Sequence, residues 1–379
     1  MIGSVDPAAR PGDVVTVYER DGRIFGRAFY NPHSQIALRM LAYGDTAIDA
    51  DFWRAKLQSA LELRRRLQLE QVTDCFRLVH AEGDGLSGLI AEQVGDCLVF
   101  EHFALGMYLR RAELAEHLQA VLGPPPASKG RSAEGERRAW RVFHRVDDHV
   151  AALERIPPAH GPRESGVVTI REHGLRYRVD ITGGHKTGFF CDQRDNRLAF
   201  ARLCRGARVL DLCCYTGGFG IAAKVLGEAA EVTSVDLDEK VVALAKENAN
   251  LNQARISHVH ADAFIYLRQM IENKRQYDAV VLDPPKFART RAQKEEALIR
   301  YNDLNYLGMQ VVRPGGVLLT CSCSGMVGWA EFTGAVHSAA RRAGRTLQMF
   351  SRTGAAPDHP VALDCPESQY LKALWLRVL

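Results

Sequence analysis

Asp211-Leu212-Cys213-Cys214-Tyr215-Thr216-Gly217-Gly218-Phe219-Gly220 is the stretch on which the reading of this chain turns. Ahead of it, Arg208–Leu210 is a short strand that carries Val209 and Leu210 into a core; behind it, Phe219–Gly227 has helical spacing. The glycines between them let the backbone bend sharply beneath a ligand. Their spacing is not GxGxxG. A dinucleotide needs closely spaced amides aimed at its pyrophosphate, so the missing fingerprint argues against NAD.

Working outward, the next strand, Glu231–Val235, runs into Val235-Asp236-Leu237-Asp238, and the helix Glu239–Leu251 puts Val241, Leu244, Ala245 and Leu251 on one face. A carboxylate at that strand end accepts hydrogen bonds from both hydroxyls of a ribose, which makes Asp236 the expected ribose ligand. After His258-Val259-His260 comes Asp262-Ala263-Phe264, where a carboxylate meets an adenine amine. Helix capping is the competing role for Asp238 and Asp262. Glycine turn, Asp236 and Asp262, in this order and at βαβ spacing, predict a nucleoside site without pyrophosphate amides, which suits S-adenosylmethionine. Its expected lining is Asp211, Cys213, Tyr215, Gly217, Asp236, Leu237, Asp262, Ala263 and Asp283.

Two more strands are expected, Tyr277–Leu282 and, after the turn Arg313-Pro314-Gly315-Gly316, Gly315–Cys321. The alternation predicts an α/β domain with a mostly parallel sheet, helices on both faces, and ligands beyond the carboxyl ends of the strands. The first of the two ends in Leu282-Asp283-Pro284-Pro285-Lys286-Phe287, whose prolines stiffen the backbone and remove two amide donors. The second ends in Thr320-Cys321-Ser322-Cys323-Ser324, and strand alternation puts the two thiols on one face.

Carbon 5 of a pyrimidine is too weak a nucleophile to take a methyl group until a thiolate adds at carbon 6. That chemistry points to Cys323 as nucleophile, with Lys286 and strand-end amides favouring its thiolate. Asp283 is expected on the N3/N4 edge of the base, with Pro284, Phe287 and Arg289 as further substrate contacts. Lys286–Lys294 is a basic stretch that reads either as a phosphate-contacting lip or as the exposed first turn of a helix. Cys75, Cys97 and Cys204 read as small hydrophobes.

The rest of the chain sets bounds. At 379 residues it exceeds what one core organises. Nine cysteines without a zinc-site spacing predict free thiols, a reducing compartment and no metal. A net charge of +4 permits nucleic acid without demanding it. No apolar run approaches the roughly 20 residues that span a bilayer, and the start lacks a signal-peptide pattern, so a cytoplasmic protein without membrane contact is expected.

Alternation around Asp21-Gly22 predicts a small β domain over residues 1–70, closed by a helix from Asp51 to about Gln71 whose Arg64-Arg65-Arg66 reads as a solvated face. Residues 71–165 read as an α+β unit: a meander of Phe76–His80, Leu89–Val94 and Cys97–Glu101, a helix around Leu109–Val121, and a surface loop over Gly123–Arg138. Residues 166–379 form the third unit.

The chain resembles the bacterial large-subunit 23S rRNA cytosine-5 methyltransferases, class I enzymes with an N-terminal PUA domain. The resemblance runs through Gly26-Arg27 to Ser34-Gln35-Ile36, Phe76-Arg77-Leu78-Val79-His80-Ala81-Glu82-Gly83-Asp84-Gly85, Lys186-Thr187-Gly188-Phe189-Phe190-Cys191-Asp192-Gln193-Arg194-Asp195-Asn196-Arg197, Asp283-Pro284-Pro285-Lys286-Phe287, Ser322-Cys323-Ser324-Gly325 and Asp358-His359-Pro360-Val361. It implies that Lys186–Arg194 covers the cofactor, with Lys186, Thr187, Phe189 and Gln193 binding it and Arg194 facing the substrate. It also implies Cys323 as nucleophile, 23S rRNA or an assembling large subunit as partner, and a homodimer. Phe189 and Phe190 suit a lid over a nucleoside, and core packing accounts for them equally well.

Two departures stand out. The extra strand and basic helix with which the family's PUA domain begins are missing before Gly3-Ser4-Val5, which implies an incomplete domain or a misassigned start. Cys321 stands where relatives can carry a residue without a thiol. Two rival readings stay open: an exocyclic-amine methyltransferase, because Asp-Pro-Pro before an aromatic also holds an adenine or guanine amine, and a non-catalytic RNA-binding assembly factor.

Overall fold

The computed structural model describes residues 2–125, 139–157, 166–182 and 188–379. Most of the expected surface loop, from residue 126 on, and Lys186 and Thr187 lie outside the described residues. Two compact units emerge: Met1–Arg171 with Val179–Cys191 and Pro357–Ser368, and Glu172–Arg178 with Asp192–Ala356 and Gln369–Leu379.

The first unit opens with an antiparallel sheet of β1 (Val14–Tyr18), β2 (Ile24–Tyr30) and β3 (Leu38–Tyr43). Helix α1 (Ala50–Arg66) starts where the Asp49 carboxylate accepts from Phe52 N, an N-cap that replaces a missing helix bond. The expected meander follows as β4 (Cys75–His80), β5 (Leu89–Val94) and β6 (Cys97–His102). Then come α2 (Leu105–Leu109), α3 (Arg111–Leu122), β7 (Arg141–Arg145), which pairs in parallel with β6, and α4 (Asp148–Glu154). Phe29 and Leu41 of the first sheet share one core with Trp53, Leu57 and Leu61 of α1, Leu78 and Leu98 of the meander, and Leu118 of α3. The triple arginine departs from expectation. Arg65 and Arg66 are exposed, but Arg64 is 3 % exposed and grips both oxygens of Asp84, at 2.6 and 2.8 Å, and Asp358 O at 2.7 Å. A bidentate partner makes such burial tolerable.

β8 (Val167–Glu172) and β9 (Leu175–Asp180) make a separate two-stranded sheet. The second unit contains α5 (Arg194–Ala201), β10 (Arg208–Leu212), α6 (Gly218–Val225), β11 (Glu231–Asp236), α7 (Glu239–Leu251), β12 (Ser257–His260) and α8 (Ala263–Glu272). It continues with β13 (Tyr277–Leu282), α9 (Lys294–Val311), β14 (Val312–Ser322), α10 (Trp329–Arg342), β15 (Leu347–Thr353) and β16 (Lys372–Val378).

The seven strands lie in the order β12-β11-β10-β13-β14-β16-β15, and only β16 runs against the others. Apolar side chains pack on both faces, Leu210, Val280 and Leu318 into one core and Val209, Val281 and Leu319 into the other. β14 begins earlier than the expected Gly315. Its register jumps from Tyr277↔Val312 to Ala279↔Val317, so Arg313–Gly316 bulges out of the ladder, with Gly315 at φ +79°. Among the described residues no helix is long and apolar enough to cross a membrane.

Candidate active site

The turn after β10 is strained. Cys213 and Tyr215, neither of them glycine, sit at φ +59° and +47°, left-handed conformations that cost on the order of 1–3 kcal/mol each and persist only when held by their surroundings. The hold is visible: Cys214 N donates to Val235 O at 3.0 Å, Tyr215 N to Asp236 Oδ2 at 2.9 Å, and Gly220 N to Asp211 Oδ2 at 2.8 Å. Gly217, at φ +85°, caps α6. Beneath the turn Arg197 and Glu172 form a buried ion pair, with bonds of 2.7 and 2.6 Å, and a Cβ on Gly218 would stand 2.9 Å from Arg197 Cδ. Glycine at 218 is therefore a packing requirement.

The strand ends converge their carboxylates. Burial first, then the charges of Asp283 and Asp236, push the Asp211 carboxyl up to about 7. The Cys213 thiol is raised by burial and then by Asp236, Asp283, Asp211 and Asp262 together, so all four acids lie within electrostatic reach of one turn residue. Asp236, half-buried, also accepts from Asp238 N at 3.1 Å. Asp238 and Asp262 do cap helices: Asp238 binds Lys240 N and Val241 N, and Asp262 binds Phe264 N and Ile265 N. Leu237 is 65 % exposed, and Ala263 is half-buried. A nest of acids around a strained turn calls for a cation, and a sulfonium nucleoside fits that donor set.

At the neighbouring strand ends, Asp283 Oδ2 accepts from Gln193 Nε2 at 3.1 Å, and Cys323 Sγ lies 3.8 Å from Pro284 O. Pro284 is buried, whereas Lys286 and Arg289 are exposed. Phe287 packs on Tyr301 with ring centroids 4.8 Å apart, and the Arg300 guanidinium lies 4.3 Å over its ring. Thr290 and Gln293 form a capping box just before α9, so the basic stretch does lead into a helix. Cys321 is wholly buried in the core, and its thiol is pushed well up by burial. Cys323 is half-buried against the same cluster. Arg194 opens α5 with its side chain 1 % exposed and Nε on Asp195 Oδ1 at 3.1 Å. Phe189 is buried in the first unit.

Sequence reasoning missed Lys372 and Tyr301. Lys372 is 2 % exposed, and Tyr301 Oη bonds Ser322 Oγ at 2.9 Å and Ser324 Oγ at 3.0 Å, on either side of Cys323. The available signal was a lysine opening an apolar run, Lys372-Ala373-Leu374-Trp375-Leu376.

Residues 144–377 match the family described as S-adenosylmethionine-dependent methyltransferase, and residues 1–43 match a PUA-like domain. The chain belongs to the S-adenosylmethionine-dependent methyltransferases. Similar proteins named ribosomal RNA large subunit methyltransferase I include one from Shewanella denitrificans, 38 % identical over 97 % of this chain and 90 % of the relative. Another, from Klebsiella pneumoniae, is 34 % identical over 100 % of this chain and 92 % of the relative. The methyltransferase fold extends to a putative SAM-dependent methyltransferase from Streptococcus mutans, at TM-score 0.79 and 21 % identity over 97 % of this chain and 92 % of that one. A putative methyltransferase complexed with SAH matches at TM-score 0.80 and 21 % identity, covering 98 % and 93 % of the two chains. The cofactor of this methyltransferase is S-adenosylmethionine.

Proposed function

We propose that this methyltransferase places a methyl group on C5 of a cytosine in 23S rRNA, free or in an assembling large subunit, through a transient bond from Cys323 to C6. The observation that carries the reading is Cys323 Sγ beside Pro284 O, one residue from the Asp283 carboxylate. The names of the relatives at 34–38 % identity support the substrate class.

S-adenosylmethionine supplies an electrophilic methyl group. For its binding the reading uses Asp236 toward the ribose, Asp262 toward the adenine amine, Leu237 and Ala263 along the ring, and Asp211, Cys213, Tyr215, Gly217 and Gln193 around the rest. Lys186, Thr187 and Phe189 are kept as cofactor contacts, and Arg194, Pro284, Phe287 and Arg289 as substrate contacts. The Cys323 thiolate adds to C6, Asp283 holds the N3/N4 edge, and C5 becomes nucleophilic enough to accept the methyl group. Loss of the C5 proton then expels the thiolate and restores the ring. A target paired in a helix has to be flipped out first. Residues 1–70 are read as the RNA-binding PUA-like part and 71–165 as a middle domain. Residues 166–379 are the catalytic part, in a cytoplasmic homodimer.

The deciding experiment uses the full chain, wild type and Cys323→Ala, with rRNA transcripts carrying cytosine or 5-fluorocytosine. The expected result is 5-methylcytosine and a stable protein–RNA adduct for wild type and neither for the variant. Full methylation by the variant would instead favour transfer to an exocyclic amine.

A further inference from the structure

A buried ammonium needs an anion. Lys372 opens β16 directly opposite Ser322 of β14, so its side chain enters the protein beside the catalytic segment Ser322–Ser324. Nζ donates to Ser324 O at 2.9 Å and to Tyr370 O at 2.8 Å. Both acceptors are neutral carbonyls, and two carbonyls do not repay the several kcal/mol that desolvating a cation costs. Burial accordingly pulls the ammonium down to about 8, and the first charge that pulls it back up is that of Cys323.

The other charged and titratable groups around the pair do not replace this partnership. Lys286, from the loop after β13, bears on Lys372 as a like charge and is exposed. Glu331, on α10, bears on it favourably but more weakly than Cys323, and already pairs with Lys294. Tyr301, on α9, is pushed up to about 12 and stays neutral between the two serines. The Cys321 thiol is held protonated by burial, and Asp283 is a negative charge that opposes a thiolate nearby. Of the two lysines, the buried one acts through little solvent and the exposed one is screened.

We propose that Lys372, fixed by the Ser324 and Tyr370 carbonyls, is the positioning residue whose ammonium stabilises the Cys323 thiolate and offsets the Asp283 charge. This inference rests on Cys323 being the nucleophile. The lysine is already protonated, so it does not take up the thiol's proton when the sulfur ionises. The thiol proton goes to solvent, and the ammonium remains as counter-ion while the sulfur forms and breaks its bond to C6.

The test is the pH dependence of iodoacetamide alkylation at Cys323 in the full-length enzyme, read peptide by peptide by mass spectrometry so that the other eight cysteines do not contribute. Wild type should titrate below the usual free-thiol value of about 8.5. Lys372→Met should move the midpoint up by about one unit or more and slow alkylation at pH 7 about tenfold, while Lys372→Arg should restore the wild-type profile. A Lys372→Met profile that superimposes on wild type overturns the inference.

Should Lys372→Met fail to fold, the reciprocal measurement decides. Cys323→Ser removes the anion without touching the lysine and should lower the Lys372 midpoint seen in its 13Cε chemical shift; no shift overturns the inference. The two levels separate cleanly. If Cys323→Ala still methylates RNA, the nucleophile reading fails; if the 5-fluorocytosine adduct forms but the thiol ignores Lys372, only the present inference fails.

Discussion

Gln193 Nε2 donates to Asp283 Oδ2 at 3.1 Å, joining residues 90 positions apart. That bond ends a one-way chain. Trp375 Nε1 donates to Thr353 Oγ1 at 2.8 Å, Thr353 Oγ1 to Asn196 Oδ1 at 2.7 Å, and Asn196 Nδ2 to Gln193 Oε1 at 2.6 Å. A carboxylate only accepts, so Gln193 turns its amide nitrogen to Asp283, and the direction of every other bond follows back to the indole, which only donates. The Asp283 carboxylate is thus aimed by a tryptophan on β16.

Breaking the chain at either end should slow the chemistry. Gln193→Ala removes a hydrogen bond to a carboxylate, worth about 1.5–3 kcal/mol, so single-turnover methylation should fall about 10- to 100-fold. Thr353→Val leaves Asp283 its direct partner and removes only that partner's support, so it should cost less. Quenched-flow methylation of the rRNA transcript measures both; an unchanged rate for Gln193→Ala would show that Asp283 needs no aiming.

What the sequence disclosed follows from where information is local. Asp236, Asp283 and Cys323 stand at strand ends, and strand ends are announced by apolar runs that stop, so the residues were legible without a structure. Lys372, Thr353 and Trp375 were not, because their roles depend on β16 inserting antiparallel between β14 and β15. No local pattern encodes that choice of neighbours. Arg64 was missed for the same reason: its run of three arginines reads as surface until Asp84 is seen to meet it.

Cys321 should prove dispensable for chemistry. Its thiol is wholly buried and held protonated, so Cys321→Ala should keep methylation within a few-fold of wild type and still trap 5-fluorocytosine RNA. The small void left in the core should cost about 1–2 kcal/mol, read as a lower midpoint in chemical denaturation. Loss of the RNA adduct in this variant would make the second thiol a participant.

The Arg197–Glu172 pair should act as a foundation for the turn after β10. Both side chains are buried, at 4 % and 2 % exposure. Arg197→Met strands a buried carboxylate and should cost about 3–5 kcal/mol, whereas the double change Arg197→Met with Glu172→Gln should cost much less. The comparison is made by thermal melting with and without S-adenosylmethionine. Equal losses in the single and double variants would mean that the guanidinium serves as filler against Gly218 rather than as a charge.

Asp211 should make cofactor affinity and stability respond oppositely to pH. Its carboxyl sits near 7 in the folded chain, against an ordinary value of 3.8, because burial and the neighbouring acids oppose its ionisation. The folded state therefore holds a proton that the unfolded state has released between about pH 4 and pH 7, and linkage makes stability fall as pH rises through that window. Above 7 the cost is complete. If the cofactor binds as proposed, its sulfonium would reverse the local field, favour the ionised carboxylate, and be bound more tightly once the proton has gone. Calorimetric titration of S-adenosylmethionine should thus show affinity rising from pH 6 to pH 8, together with proton release detectable as buffer-dependent heat. Meanwhile the melting point of the free protein should decline as pH rises toward about 7 and level off above it. Asp211→Asn keeps an acceptor for Gly220 N but carries no charge, so it should bind the cofactor more weakly, flatten this residue's share of both pH dependences, and melt no lower than wild type at pH 8. A wild-type affinity that does not change between pH 6 and pH 8 would show that the carboxylate is already ionised in the free enzyme.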